Sequence, residues 1–437
     1  MRLGRHRSLI SAAPVRTVVC VLTVLATSGC VPVLLPNFGG AAPGPNISLV
    51  NVPETGHGML GVGVTDPPAI SNDGKVITFE TSDYLTRDDH EGTWDIYARD
   101  TSRRETTLIS VTADGVQDPC GSNLPLISGD GRYVSYWGCT QLESVAAPPG
   151  TVGLATYIKD RLTGTLWRAG IPASLGYYPA GSESLDRDGS HASVLCIPLQ
   201  TGIFGVCEQD PHTGETTLAS IRTDGLRVTA YATPASISDG GRLVGFVAPY
   251  GDVVPSSTDM RRQLFVRDLV AGITRPVAID AAQYGGDLDG RISADGTAAV
   301  VWQIAPPYHI LRVDLRSGVV QRVDQTGCTN VAASPTYPAA SISGDGNTIA
   351  FQSGSDALVQ GDTNHHDDVF VWRASSPCSV ERVSLGHGFQ QGNGDSYWPA
   401  ISGDGSSIAF VSDATNLLQK TTDPTRNLFV VRMRPPH

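Results

Sequence analysis

The sequence has no stretch that keeps apolar residues at helical spacing, and only three of its basic residues are lysines, Lys75, Lys159 and Lys420. The first absence excludes helical bundles and sheets flanked by helices. Acidic residues outnumber basic ones, 43 against 31, which leaves no basic stripe to neutralise phosphates and excludes nucleic acid as a partner. The longest apolar run, VVCVLTVLA near the start, is too short to span a membrane comfortably. A GxSxG elbow is missing, and with it the serine hydrolase design of the prolyl oligopeptidases. The SxDxGxTW box of sialidases is missing too. Beyond the N-terminal segment the one close histidine pair is His365 and His366, and neighbours on an extended chain point opposite ways, which argues against zinc.

What is present is a phrase repeated seven times. ISGDGSSIAF from Ile401 recurs as ISNDGKVITF from Ile70, ISGDGRYVSY from Ile127, LDRDGSHASV from Leu185, ISDGGRLVGF from Ile237, ISADGTAAVV from Ile292 and ISGDGNTIAF from Ile342. The fourth residues, Asp73, Asp130, Asp188, Gly240, Asp295, Asp345 and Asp404, stand 50 to 59 residues apart. Aspartate bonds its own turn and glycine takes positive φ, so Asp-Gly marks a hairpin turn in each unit and needs no chemistry to explain it. A second turn follows in DRLTG, DPHTG, DLVAG and DLRSG, from Asp160, Asp210, Asp268 and Asp314. Four short alternating strands per unit and no helix predict an all-β, seven-bladed β-propeller of four-stranded antiparallel blades over 47–437. The last unit stops after NLFVVRM, one strand short, so ISLVNV (47–52) is expected to pair onto it and close the ring.

With those units in view, SYWPAISGDGSSIAFVSDATNLL and SDALVQGDTNHHDDVFVW resemble the TolB-type propeller repeat, a relative of the tryptophan-aspartate repeat. TolB carries an α/β domain ahead of its propeller, and 31–69 is too short for one. The resemblance therefore implies the fold and not the TolB transport role.

The N-terminus reads as an export signal over 1–29, with Arg2, Arg5, Arg7 and Arg16 before the apolar run. It ends in ATSGC, similar to a bacterial lipobox, which predicts lipid on Cys30 and a proline- and glycine-rich tether over 30–46. The expected protein is thus a monomeric, extracytoplasmic lipoprotein held at the cell membrane by Cys30. Its expected role is binding or scaffolding toward an envelope protein, peptide or glycan, with a glycan hydrolase or lyase using channel carboxylates as the alternative.

Candidate partner-binding residues are the aromatics of the loop face: Tyr177, Tyr178, Tyr231, Tyr284, Tyr337, Tyr397 and Trp398. No cofactor is required. Calcium is the candidate ion, offered hard oxygens by Asp362, Asn364, Asp367 and Asp368 in GDTNHHDDVF and by Asp88, Asp89, Glu91 and Asp95 in DDHEGTWD. Cys196 and Cys207 are symmetric about Thr201-Gly202 and are expected to bond as a directly opposed pair, and Cys120 with Cys139 forms a second expected pair. Cys328 and Cys378 should lie at opposite ends of their blades, with no simple bond between them.

Overall fold

Each repeated phrase folds as a turn that consumes its own polar groups. In the copy at Ile401, Ser402 Oγ donates to Asp404 Oδ1 (2.6 Å), and that carboxylate also accepts the Ser406 N–H (2.9 Å). The Ser407 N–H donates to Ser402 Oγ (3.0 Å), and Gly405 takes φ 69°. The third copy replaces serine by Asp186, whose carboxylate accepts the His191 N–H (3.1 Å) in the same role. The fourth lacks the marker aspartate and places two glycines, Gly240 and Gly241, at φ 70° and 69°.

The structure, a computed structural model, describes residues 45–54, 63–90, 92–112, 114–118, 121–139, 154–168, 177–198, 204–277, 279, 284–327, 330–331, 336, 338–419 and 426–433. Seven four-stranded antiparallel sheets form within the compact unit Gly44–His437. Blade 1 comprises Ala69–Ile70, Val76–Thr81, Asp95–Asp100 and Glu105–Leu108, in that order from the central axis outward. Blades 2 to 6 repeat the order from inner strands at Asn123–Ile127, Tyr177–Leu185, Thr233–Ile237, Leu288–Ile292 and Ala340–Ile342. Blade 7 begins at Ser396–Ile401 and takes its outer strand from the N-terminal Asn46–Leu49, which pairs with Asn427–Arg432 in the register Ile47 to Val431 and Leu49 to Phe429. The ring therefore closes as expected. Asn51 extends the closure, its Oδ1 accepting the Leu428 N–H at 3.0 Å.

The core lies between blades rather than within them. One cluster joins Ile77 and Phe79 of blade 1 to Val411 and Leu428 of blade 7, and another joins Val300 of blade 5 to Phe351 and Trp372 of blade 6. Five blades cross-pair aromatics of their second and third strands: Phe79 with Tyr97, Tyr136 with Tyr157, Phe246 with Phe265, Phe351 with Phe370, and Phe410 with Phe429. Their ring centroids sit 5.5 to 6.0 Å apart. The one α-helical segment described is the single turn Tyr250–Val253, and no helix of the described residues is long and apolar enough to cross a membrane.

The cysteines depart from the expected geometry. Cys196 and Cys207 are bonded, with Cα atoms 5.9 Å apart, but Cys196 faces Gly205 and Cys207 faces Val194. The bond joins diagonal neighbours, because the strand register is centred one residue before the midpoint of Thr201-Gly202. Cys378 is also disulfide-bonded. After its fourth strand, blade 5 adds a small ribbon, Gln325–Thr326 with Asn330–Val331, which carries the chain over to blade 6. There the Gly327 N–H donates to the Cys378 carbonyl (2.8 Å) and Gln325 Nε2 donates to the Pro377 carbonyl (3.3 Å). Cys30, Cys120 and Cys328 lie outside the described residues, as does the side chain of Cys139.

Candidate functional site

The inner strands of all seven blades wall a central channel, a cavity of about 310 Å³. At the turn end the blades are belted together by backbone bonds. The Asn72 N–H donates to Gly129 O (2.7 Å), Asp239 N–H to Ala294 O (2.7 Å), Gly344 N–H to Gly403 O (2.8 Å) and Asp404 N–H to Asn72 O (2.8 Å). Between blades 3 and 4 the carboxylate of Asp186 serves instead, accepting the Gly240 N–H at 3.2 Å. Small residues are required here, because a Cβ on Gly403 would come 2.1 Å from Asn72 Oδ1. Among the described residues the carboxylates that line this channel are those of Asp186, which takes part in the belt, and of Asp239, whose backbone N–H does so while its carboxylate faces the Arg187 amide. Burial raises the pKa of each, and the nearness of Asp186 adds to the rise at Asp239.

At the other end, the residue before the inner-strand proline adopts left-handed backbone in two blades, Leu124 (φ 55°) and Trp398 (φ 53°). Such backbone is costly for bulky side chains and persists only where the surroundings impose it. The neighbouring blade supplies the hold. Gln352 Oε1 accepts the Trp398 N–H (2.9 Å), and at the matching position of blade 1 the Glu80 carboxyl lies against the Leu124 amide. Glu80 is 5% exposed, accepts from Thr65 Oγ1 (3.0 Å) and faces the Asp66 carboxyl. Burial and then that second acid push its pKa up to about 8.

Trp398 meets Tyr397 edge to face at 4.9 Å, and the Arg426 guanidinium lies 5.4 Å from the Tyr397 ring and 5.9 Å from the Trp398 ring. Tyr397 Oη donates to Asp413 Oδ1 (3.1 Å), and burial with that carboxylate holds the phenol well above its ordinary pKa. Both aromatics are half-buried against the core shared by blades 7 and 1. Of the other expected aromatics, Tyr231 is 47% exposed beside Phe204, whereas Tyr284 is 8% exposed beneath Arg322. Tyr177 and Tyr178 sit on the inner strand of blade 3 with side chains outside the description, as is all of Tyr337.

A second aromatic group went unforeseen. On the turn face Tyr133, Trp167 and His212 pack with centroids 5.1 to 5.9 Å apart, and Arg132 lies 4.8 Å from the Tyr133 ring. Trp167 and His212 come from adjacent blades, so only the ring geometry unites them. Two further antiparallel bridges, Val111 with Gln117 and Ile221 with Arg227, fall where SVTADGV and SIRTDGL repeat one pattern, and they present Val116 and Leu226. Both apolar residues are exposed.

The acidic loops are committed to internal partners. Asp362 and Asp368 grip the buried Arg382 guanidinium at 2.7 and 2.9 Å, and Asp368 also accepts from Ser384 Oγ. Asn364 turns its amide nitrogen toward Asp368 (3.1 Å), and Asp367 accepts from Thr336 Oγ1 (2.9 Å). In blade 1, Asp89 accepts from Tyr97 Oη and Gln117 Nε2, and Asp95 accepts from Ser110 Oγ. Asp88 is exposed, and Glu91 lies outside the described residues. Among the described residues no three histidine, cysteine or acidic side chains converge as a metal site. The cation that Asp362 and Asp368 face is an arginine.

No family model and no curated protein matches the sequence. Solved structures do. An oligogalacturonate lyase in complex with manganese superposes with a TM-score of 0.52 at 14% identity, over 90% of this chain and 99% of that one. The oligogalacturonate lyase of Vibrio parahaemolyticus gives 0.52 at 13%, over 89% and 97%. A putative TolB from Agrobacterium tumefaciens gives 0.42 at 13% identity over 76% and 96%, too loose to carry an argument. At such identities the likeness shows the propeller fold alone.

Proposed function

We propose that this protein is a non-catalytic binding or scaffolding propeller of an extracytoplasmic compartment, tethered to the membrane through lipid on Cys30. Its loop face takes a protein, peptide or glycan partner. The observation that carries this reading is the unequal commitment of the two faces. Turn-face aspartates are spent on their own turns: Asp160, Asp210, Asp268 and Asp314 each accept backbone N–H groups two and three residues on. The loop face instead carries Tyr397, Trp398, Arg426 and the exposed Tyr231, residue types that supply contact energy at modest entropic cost. The Cys196–Cys207 bond supports an oxidising compartment.

Binding is favoured over glycan cleavage because, of the two channel-lining carboxylates among the described residues, Asp186 is taken up by the belt and Asp239 by the Arg187 amide. Hydrolases and lyases need a pair free to reach a substrate. Purified protein incubated with envelope glycan fragments and peptides, followed by mass spectrometry, tests the reading. Recovery of every fragment intact agrees with it, and shortened or unsaturated products would overturn it.

A further inference from the structure

At one level of the channel wall a single blade departs from the other six in charge. Strand register puts one residue from each blade at the same level, the residue just before the inner-strand aliphatic of the repeated phrase. Blades 7, 1 and 2 place Ala400, Ala69 and Leu126 there, and blades 3, 4 and 6 place Ser184, Ser236 and Ser341. Blade 5 alone places a charged residue, Arg291. Its side chain is exposed in the cavity and has no ion pair or hydrogen bond with any described residue, while its backbone pairs with Val300 in the sheet. Serine or alanine meets the structural need at this level in five other blades, so the fold does not call for an arginine.

Its neighbours suit the same purpose. Ser236 Oγ accepts the Ile292 N–H (2.7 Å), fixing the backbone next to Arg291, and Ser341 Oγ accepts the Ile401 N–H (3.1 Å). Each oxygen is thereby occupied from the wall, while its hydroxyl hydrogen has no acceptor among the described residues. Blades 4, 5 and 6 therefore form an arc of donors with a guanidinium at its centre, and blades 7, 1 and 2 form an apolar arc opposite.

We infer that the channel binds a small organic monocarboxylate with an apolar body. The guanidinium fork matches two carboxylate oxygens, the flanking hydroxyls donate to the same oxygens, and the body rests on Ala400, Ala69 and Leu126. At this level one guanidinium offsets one negative charge, and the cavity's other guanidinium, Arg187, already faces Asp239. A dianion such as phosphate would bring its second charge into a channel that already holds Asp186 and Asp239. The site is separate from the loop face and stands or falls independently of partner capture there.

Isothermal titration of the full chain with octanoate, neutral octan-1-ol and inorganic phosphate tests this, on wild type, R291Q and R291K. Octanoate should bind wild type more tightly than octan-1-ol or phosphate does. Its affinity should drop about 10- to 100-fold in R291Q, the loss expected for a charged hydrogen-bonded pair, and by less in R291K. The thermal midpoint of ligand-free R291Q should match wild type. Equal octanoate affinity in wild type and R291Q, no octanoate binding to wild type, or a preference for phosphate would each overturn the assignment.

Discussion

Glu80 shows how a single side chain sets a pH dependence. Folded, it keeps its proton to about pH 8, whereas an unfolded glutamate releases it near 4.5. The folded pKa is raised, so the stability it contributes is full below about pH 4.5 and is lost as pH rises through about 8. Glu80→Gln should therefore flatten the stability profile across that window and leave the variant more stable than wild type at pH 9. Denaturant melts at pH 4, 6.5 and 9 check this, and an unchanged slope would count against the raised pKa. Gln352, which holds Trp398 at the matching position, shows that an amide fits there. Trp398 itself packs against the core cluster that contains Val50, Val64 and Leu428, so Trp398→Ala should lower stability by about 2 kcal/mol in the same melts. That coupling makes Tyr231, exposed and outside this core, the cleaner probe of binding.

At the scale of elements, the closing strand carries the ring. Removing 46–52 strips blade 7 of its outer strand and bares the Asn427–Arg432 edge, so the shortened protein should aggregate or melt at a markedly lower temperature, while removing 31–44 should change little. Light scattering during thermal melts distinguishes the two. Within blade 3, replacing Cys196 and Cys207 by serine should cost about 2–3 kcal/mol, the loop-closure entropy of a short bridge, readable as a shift in urea midpoint. The strands and Asp-Gly turns were legible in the sequence because their cause is local: a carboxylate two residues from its acceptor, a glycine at positive φ. The diagonal disulfide, the ribbon that brings Gly327 to Cys378, and the Arg382 that occupies the acidic loop were not. Each depends on contact between segments whose register or path the local pattern leaves open. GDTNHHDDVF displays its acids, but its counter-ion lies 14 residues beyond Asp368 on the next strand.

The whole molecule is a ring whose size and closure follow from counting seven phrases and noticing one strand missing at the end and one spare at the start. Its candidate site was legible only in outline. The loop face could be named from loop length, but the Tyr397–Trp398–Arg426 assembly needs the ring to bring residues of one blade together across a loop, and the turn-face group of Tyr133, Trp167 and His212 shows that aromatics alone do not choose a face. A photo-crosslinking amino acid at Tyr231 on the loop face, and separately at the exposed Thr213 on the turn face, decides the matter inside cells. Irradiation should join the Tyr231 form to a discrete partner detectable by gel shift and mass spectrometry, and leave the Thr213 form unjoined. Adducts from Thr213 with none from Tyr231 would contradict the account and move the binding face to the turns.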